Sequence, residues 1–458
     1  MRLFPILTTC ALVLLGGCMQ PPPKPIAGCD YHAVPITVDS GHPRMLGAAE
    51  MSIDQAGDQD RLAREMGGVL GERRARRAQL GLAATAEAPD QFLVLSGGGE
   101  HGAFGAGMFY GIGQVPSYDI VTGVSTGSLQ STLLFLANSP VPADRTDYRW
   151  VDGPLASGPA DGFVVKPGVS NIGDLVLAYS IAKEADLMRI HFGGAAGGIV
   201  FDGASASFAP LRARLKALLT IGTLREVGRE WEEEKRQLWV GVTNLDDGAG
   251  YAIDMTELAA RTRHSDDPAR LAQLQGCYVD ALLASSSVPP GVPPVTLATR
   301  KDVRMYMDGG ARFGVILGQV LRAEGDAPKR AKVTLIVNHD LYSGPWQADG
   351  QPTLKWSAAT FGLRAIDLLE NQVYRFSIAD AERYGMASGG LRMAFIGNEN
   401  IAGGEAPDDH RFRGKSCAEW NAIDDKAKPL QFHAQYMACL ADYGRVRGAA
   451  GQWNRAVR

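Results

Sequence analysis

Short apolar runs alternate with longer segments of helical periodicity from residue 91 onwards. The first run, residues 92–95, is continuously apolar and ends in glycines, which is typical of a buried parallel strand. Three elements are predicted to follow it: a tightly packed helix over 102–113, a strand over 119–122 that stops at Gly123, and a helix over 126–137. This order predicts a right-handed βαβ unit with ligands near the carboxyl ends of its strands.

The same pattern predicts further strands and a long helix. The strands are expected at residues 238–243, 303–307 and 332–338, and the helix at 357–384. We therefore expect an α/β protein, a three-layer α/β/α domain around a central, mostly parallel sheet. The expected domain covers residues 91–458, with a core over 91–340 and a C-terminal helical part over 341–458.

The N-terminal 90 residues have a different character. Arg2 precedes an apolar run over residues 3–15, which is too short for a membrane span of about 20 residues. Gly16, Gly17 and Cys18 follow and resemble a lipobox, in which the cysteine becomes the acylated first residue of the mature protein. We expect a lipoprotein signal peptide over 1–17, the alternative being an ordinary signal peptide with a chance cysteine.

Residues 18–90 are expected to form a tether and an N-terminal extension. The proline-rich residues 19–25 predict a stiff, extended tether just after the anchor. Met19 stands where Asp would retain a lipoprotein in the inner membrane, which by analogy favours the outer membrane, facing the periplasm. A helix is predicted over 61–80, and its cluster of Arg73, Arg74, Arg76 and Arg77 indicates a solvated face or, less simply, contact with anionic headgroups.

Composition sets further limits. The chain of 458 residues is 45% hydrophobic with a net charge of −4, so it can build a large core and shows no basic character suited to nucleic acid. Outside the signal peptide and the lipobox, four cysteines remain, at Cys29, Cys277, Cys417 and Cys439. In an oxidising compartment they can form two disulfides, with Cys417–Cys439 a plausible local pair. Four buried thiols are the open alternative.

Residues 123–127 fit the G-x-S-x-G nucleophile elbow. This motif needs a sharp turn between a strand and a helix that exposes the serine hydroxyl, with small residues on both sides. The motif alone matches by chance in many chains. Here Gly123, Ser125 and Gly127 lie between a predicted strand and a predicted helix, so we expect Ser125 to be a nucleophile.

Two further glycine-rich segments follow predicted strands. Gly97, Gly98, Gly99 and Gly102 begin right after the first strand, and consecutive glycines can direct backbone N–H groups toward an oxyanion. The segment also fits G-x-G-x-x-G, but Asp119 begins the second strand instead of ending it, which argues against a dinucleotide site. No Gly-Lys-Ser/Thr follows that would indicate a phosphate loop.

The second segment is Asp308-Gly309-Gly310, at the end of the predicted strand 303–307. An aspartate there can approach a serine hydroxyl with no histidine between them. A normal Asp, with a pKa of about 3.9, is a weak base, but desolvation would strengthen it. In isolation Asp-Gly-Gly is usually a simple turn.

The order Gly-Gly-Gly-x-x-Gly, Gly-x-Ser-x-Gly, Asp-Gly-Gly resembles the patatin-like phospholipase family. Similar family features lie at residues 238–253, 284–294 and 432–453, so the resemblance spans roughly 91–458. It implies Ser125 as nucleophile, Asp308 as its base, and the N–H groups of Gly98 and Gly99 as the oxyanion hole. The chain departs from the family at His101, where Arg or Lys is usual, which bears on headgroup preference more than on hydrolysis.

The resemblance implies hydrolysis of fatty-acyl esters, from phospholipid or lysophospholipid, and no cofactor is expected. No cluster of His, Cys and Asp has metal-ligand spacing in the sequence, so no metal is expected either. Two alternatives stay open. An α/β-hydrolase triad would use a histidine after Asp308, at His339, His410 or His433, of which His339 alone follows a strand. A non-catalytic envelope lipoprotein could bind lipid or protein on a hydrolase scaffold.

Overall fold

The computed structural model describes residues 23–36, 61–79, 89–145, 151–157, 163–191, 198, 204–324, 331–339, 341, 358–388 and 390–456. The expected signal peptide, the expected lipidation site Cys18 and the first part of the expected tether lie outside these residues. Within the described part of the chain, no helix is both long enough and apolar enough to cross a membrane.

One ten-stranded sheet organises the molecule. Its strands are β1 (Ala33–Ile36), β2 (Gln91–Leu95), β3 (Ile120–Val124), β6 (Gln237–Asn244), β7 (Gly250–Asp254), β8 (Val295–Ala298), β9 (Val303–Asp308), β10 (Lys332–Val337), β11 (Leu391–Phe395) and β14 (Arg455–Ala456). Two small two-stranded sheets pair β4 (Arg189–Ile190) with β5 (Ala206–Ser207), and β12 (Arg411–Phe412) with β13 (Lys415–Ser416).

The centre of the large sheet is parallel and its edges are antiparallel. Parallel pairing joins β6, β3, β2, β10 and β11 in that spatial order. At one edge β7 pairs antiparallel with β6 and β1 pairs antiparallel with β7, and at the other edge β14 pairs antiparallel with β11. The mostly parallel sheet that the sequence predicts is therefore confirmed, and both the N-terminal extension and the segment after residue 341 add strands to it.

Helices cover both faces of this sheet. They are α1 (Arg61–Gln79), α2 (Gly102–Ile112), α3 (Thr126–Phe135), α4 (Asn171–Ala178), α5 (Ala209–Leu218), α6 (Ile221–Glu232), α7 (Met255–Ala260), α8 (Pro268–Ser285), α9 (Gly318–Ala323), α10 (Ala358–Ser388), α11 (Cys417–Asp424) and α12 (Ala434–Ala449). Alternate residues of β2 enter different cores: Leu93 packs with α2, α3, α8 and α12, whereas Phe92 packs with α1, α9 and α10. These two apolar layers make the fold a three-layer α/β/α sandwich.

The elements predicted from hydrophobic pattern are present, with shifted ends. The strand β3 continues through Gly123 to Val124, because all five of its residues are buried in the sheet. The strand β1 was missed: it is only four residues long and takes its pairing from β7. The arginines of α1 do not form a solvated face, since Arg73 pairs with the buried Asp119 at 3.0 Å and Arg77 pairs with Asp90.

Two disulfides link distant parts of the described chain. Cys417–Cys439 joins α11 to α12, which confirms the predicted local pair. Cys29–Cys277 ties the segment before β1 to α8 across 248 residues of sequence. The second disulfide therefore holds the N-terminal extension against the helix that ends at Ser285.

Candidate active site

Ser125 occupies a strained turn between β3 and α3. Its φ of 53° and ψ of −126° are unusual for a residue with a side chain, and the residue is 6% exposed. The backbone N–H of Ser125 donates to Ser285 Oγ at 2.9 Å, and that hydroxyl donates to the carbonyl oxygen of Gly241 at 2.7 Å. Ser285, at the end of α8, thus anchors the elbow to the neighbouring strand β6.

The two glycines of the elbow leave no space for side chains. A Cβ atom on Gly123 would lie 2.5 Å from the carbonyl oxygen of Gly127, and a Cβ on Gly127 would lie 2.5 Å from that of Ser96. Both contacts are shorter than real Cβ atoms show. The motif therefore requires glycine at these positions so that α3 can begin directly over the ends of β2 and β3.

The glycine-rich loop after β2 lies against Ser125. A Cβ on Gly97 would fall 2.9 Å from Ser125 Cβ, and both Gly98 and Gly99 adopt positive φ angles, of 139° and 55°. Among the described residues, no backbone carbonyl accepts a hydrogen bond from the amide of Gly98 or Gly99. These two N–H groups are consequently available to a ligand beside the serine.

A buried network of side-chain amides, from Asn338 and Gln130, holds the glycine-rich loop in place. Asn338, which follows β10, donates from its backbone N–H to Ser96 Oγ at 2.8 Å and from Nδ2 to the Ser96 carbonyl at 2.9 Å. Its Nδ2 also donates to Gln130 Oε1 at 3.0 Å, and Gln130 Nε2 donates to the carbonyl of Gly102 at 2.6 Å. Both ends of the loop, at Ser96 and Gly102, are therefore anchored to side chains from other elements.

A second set of contacts holds the outer side of the loop. Glu100 accepts hydrogen bonds from the backbone N–H of His433 at 2.7 Å and from its Nδ1 at 3.1 Å. This carboxylate raises the pKa of His433 to about 9, with a smaller contribution from Asp425. The carboxylate of Glu184 accepts the backbone N–H groups of residues 430–432. The chain before α12 is thereby fastened over the loop.

The topology explains how Asp308 reaches the elbow. The strand β3 pairs with β6 only as far as Val124 opposite Gly241. Beyond that point β9 pairs antiparallel with β6, and its last residue, Asp308, lies opposite Val242. Because β7 occupies the other side of β6, β9 lies on the side of β3. Asp308 therefore sits where β3 ends and Ser125 begins.

The Asp308 carboxyl is buried and only partly hydrogen-bonded. Its Oδ1 accepts the N–H of Gly310 at 2.7 Å, whereas its buried Oδ2 has no hydrogen-bond partner among the described residues. Burial raises the pKa of Asp308 to about 8, and the charge of Glu370 adds to this rise. The Ser125 hydroxyl and the Gly310 amide oppose the rise. A carboxyl of this kind can accept a proton near neutral pH.

The histidines divide into two groups. His410 hydrogen-bonds to Glu405 and Asp442, and His433 to Glu100 and Asp425, so both imidazoles are engaged away from Asp308. His339 stacks on the ring of Tyr374 with centroids 5.4 Å apart. The groups that shift the pKa of Asp308 are Glu370, Ser125 and Gly310. No described histidine is therefore among the groups that act on the pKa of Asp308.

His101 belongs to an aromatic row at the loop. Its ring lies edge-on to His339 at 5.7 Å and to Tyr436 at 6.1 Å between centroids. The imidazole that replaces the usual basic residue of the family therefore packs against other rings. Within the described residues, no group of three or more metal-ligating side chains comes together.

Several residues of this site carry no signal of their own in the sequence. Asn338 ends a predicted strand beside β2, and Ser285 lies in the segment that resembles the family, so position alone could have indicated them. Glu370 and Tyr374 come from the middle of α10, whose pattern is that of an ordinary amphipathic helix. Only the packing of α10 over Gly310 brings them to Asp308.

The fold and these motifs define a family. Residues 93–320 match the family described as Patatin-like phospholipase. This stretch contains the whole glycine-rich loop, Ser125 and Asp308, whereas the loop contacts Asn338 and His433 lie beyond it. The chain belongs to the patatin-like phospholipase family, as its motifs predict. Membership supports lipid acyl hydrolase activity in general terms.

Other comparisons are more distant. Among solved structures, the chain is similar to VipD from Legionella pneumophila, with a TM-score of 0.28 and 13% identity. The similarity covers 80% of this chain and 68% of that one. A likeness at this level carries no functional information. No curated protein matches the sequence.

Proposed function

We propose that the protein is a serine acyl hydrolase that cleaves fatty-acyl esters with Ser125 as nucleophile and Asp308 as base. One observation carries this proposal: the unpartnered Oδ2 of a buried aspartate lies at the point where a strained elbow presents a serine. The free amides of Gly98 and Gly99 beside that serine complete the arrangement that ester hydrolysis requires.

The first half-reaction forms an acyl-enzyme. Ser125 Oγ attacks the ester carbonyl carbon while its proton passes to Asp308. The negative charge that develops on the carbonyl oxygen is held by the amides of Gly98 and Gly99, each such donor contributing on the order of 3 kcal/mol. As the ester C–O bond breaks, the leaving alcohol oxygen takes the proton from Asp308.

The second half-reaction repeats these roles with water. Asp308 takes a proton from a water molecule, and the resulting hydroxide attacks the acyl carbon. The bond to Ser125 Oγ breaks, and the serine recovers its proton from Asp308. Another alcohol in place of water would give acyl transfer by the same route.

We infer a phospholipid or a lysophospholipid as the substrate class. The family supports an acyl ester of a lipid. His101, packed edge-on against His339 and Tyr436, places an imidazole where the family usually has Arg or Lys. Position 101 therefore supplies no permanent cation for the lipid phosphate, which bears on headgroup preference more than on hydrolysis.

We also propose that the protein is lipid-anchored at Cys18 and faces the periplasm from the outer membrane. The lipobox-like residues 15–18 support an anchor. The two disulfides support an oxidising compartment outside the cytosol, because the cytosol keeps thiols reduced.

The test is a substrate panel with the detergent-solubilised full-length protein. Fatty acid release is measured from nitrophenyl esters of several chain lengths, from phospholipids and from lysophospholipids. We expect Ser125→Ala and Asp308→Asn to abolish hydrolysis and Ser286→Ala to retain it, since the Ser286 hydroxyl has no hydrogen-bond partner among the described residues. An inert wild-type protein would instead indicate a lipid-binding scaffold.

A further inference from the structure

A second carboxylate meets Asp308 across Gly310. A Cβ atom on Gly310 would lie 3.1 Å from Asp308 Oδ1, 3.1 Å from Glu370 Oε1 and 3.0 Å from Tyr374 Oη. Three polar atoms thus converge on a space that only glycine leaves open. Two of them come from α10, outside all three motif segments.

Tyr374 fixes this second carboxylate next to the serine. Its hydroxyl donates to Glu370 Oε1 at 3.3 Å, and its side chain is fully buried against the ring of His339. A Cβ on Gly97 would lie 2.0 Å from Tyr374 Oη and 2.9 Å from Ser125 Cβ. The tyrosine therefore spans from the glycine-rich loop to the Asp308–Glu370 pair.

We infer that Glu370, held by Tyr374, is a positioning residue that makes Asp308 a stronger base toward Ser125. The inference rests on the proposed function. When the proton of Ser125 Oγ moves to Asp308, the repulsion between the two carboxylates disappears, which favours the transfer. Glu370 exchanges no proton with the substrate, so the proton balance of both half-reactions is unchanged.

The surroundings of Asp308 support this role. The ionisable groups that face it are Ser125 from the elbow and Glu370 and Tyr374 from α10, with His339 and His101 one ring further away. The charge that acts on the pKa of Asp308 is that of Glu370, and it raises this pKa. A neighbouring negative charge makes a carboxylate a stronger base, because protonation removes the repulsion between the two charges.

The experiment compares the pH dependence of kcat/KM for a soluble nitrophenyl ester in the full-length protein and its Glu370→Gln variant. We expect the inflection assigned to Asp308 to move to lower pH in Glu370→Gln. The plateau rate should fall about tenfold with little change in KM, because Asp308 becomes a weaker base. Glu370→Asp, which keeps the charge, should restore part of both properties.

Two further variants complete the test. Tyr374→Phe keeps the ring that stacks on His339 but removes the hydrogen bond to Glu370. It should therefore also move the Asp308 inflection to lower pH. This variant provides the test if Glu370→Gln does not fold. Glu382→Gln is the matched control, because this carboxylate of α10 pairs with Arg455 at 3.2 Å and should leave the profile unchanged.

The outcomes separate this inference from the proposed function. An unchanged or upward-shifted inflection in Glu370→Gln, or in Tyr374→Phe if that variant carries the test, would overturn the inference alone. A wild-type protein that hydrolyses no ester would overturn the proposed function and this inference together.

Discussion

Asp308 must lose its proton before it can accept one from Ser125. Since burial and the charge of Glu370 raise the pKa of Asp308 to about 8, the active, ionised form grows as pH rises through that value. We predict that kcat/KM for a soluble ester increases about tenfold per pH unit below 8 and levels off above it. A steady-state pH profile checks this prediction. A profile already flat from pH 6 to 8 would contradict the assignment of Asp308 as base.

Ser285 offers a test of the elbow itself. Its hydroxyl links the N–H of Ser125 to the carbonyl of Gly241. Ser285→Ala leaves both buried groups unpaired, so we predict a loss of about 1–3 kcal/mol in the free energy of unfolding and slower hydrolysis. Urea unfolding and ester kinetics measure the two effects. Ser286→Ala, next in the chain, should be near neutral; equal effects in both variants would refute the role of Ser285.

At the residue scale, the sequence predicted those positions that have steric reasons of their own. The glycines at 123 and 127 can be inferred because the elbow has no space for a larger residue. Ser125 and Asp308 can be picked out because each lies next to glycines at the end of a predicted strand. The catalytic roles of these residues, and of Gly98 and Gly99, stay predictions. The position of Asn338 at the end of a predicted strand could have indicated it. Glu370 could not be inferred, since it matters through Asp308, which lies in a distant segment of the chain.

The disulfides differ in the length of chain that they close. Cys29–Cys277 spans 248 residues and Cys417–Cys439 spans 22. Chain entropy then predicts that replacing both cysteines of the long-range pair by alanine costs about 5 kcal/mol, against about 3 kcal/mol for the local pair. Denaturant unfolding of the two double variants under non-reducing conditions measures this difference. A larger loss for the local pair would contradict the entropic explanation.

At the element scale, the local hydrophobic pattern predicted the buried strands and the long helices. It failed for elements that depend on contacts with distant segments of the chain. The strand β2 is apolar from Phe92 to Leu95 and lies in the centre of the sheet, so its local sequence is enough to predict it. The strand β1 has four residues and exists because β7 offers an unpaired edge. The arginines of α1 look like a solvent-facing cluster, and only their contacts with Asp90 and Asp119 reveal a packed face.

At the scale of the whole molecule, the sequence predicted the layered fold because the alternation of apolar strands and helices permits few other architectures. The placement of α1, α9 and α10 on one face follows from long-range packing and was not predictable. The domain boundary near residue 90 and the membrane anchor stay predictions from the sequence.

The anchor can be tested in cells of a diderm bacterium. If Cys18 is acylated, the protein should incorporate labelled fatty acid and fractionate with the outer membrane. Cys18→Ser should abolish the label and block lipoprotein maturation, whereas Cys10→Ser, within the expected signal peptide, should change neither property. Fractionation of unlabelled wild-type protein as a soluble periplasmic species would contradict the anchor.

We propose that Ser125 is an activated nucleophile whose base is Asp308. The most direct measurement is labelling of the full-length protein with a fluorophosphonate, with the modified residue located by mass spectrometry. We predict one adduct, on Ser125, that is absent from Ser125→Ala and forms at least about 100-fold more slowly in Asp308→Asn. Undiminished labelling of Ser125→Ala, or no labelling of folded wild-type protein, would contradict it.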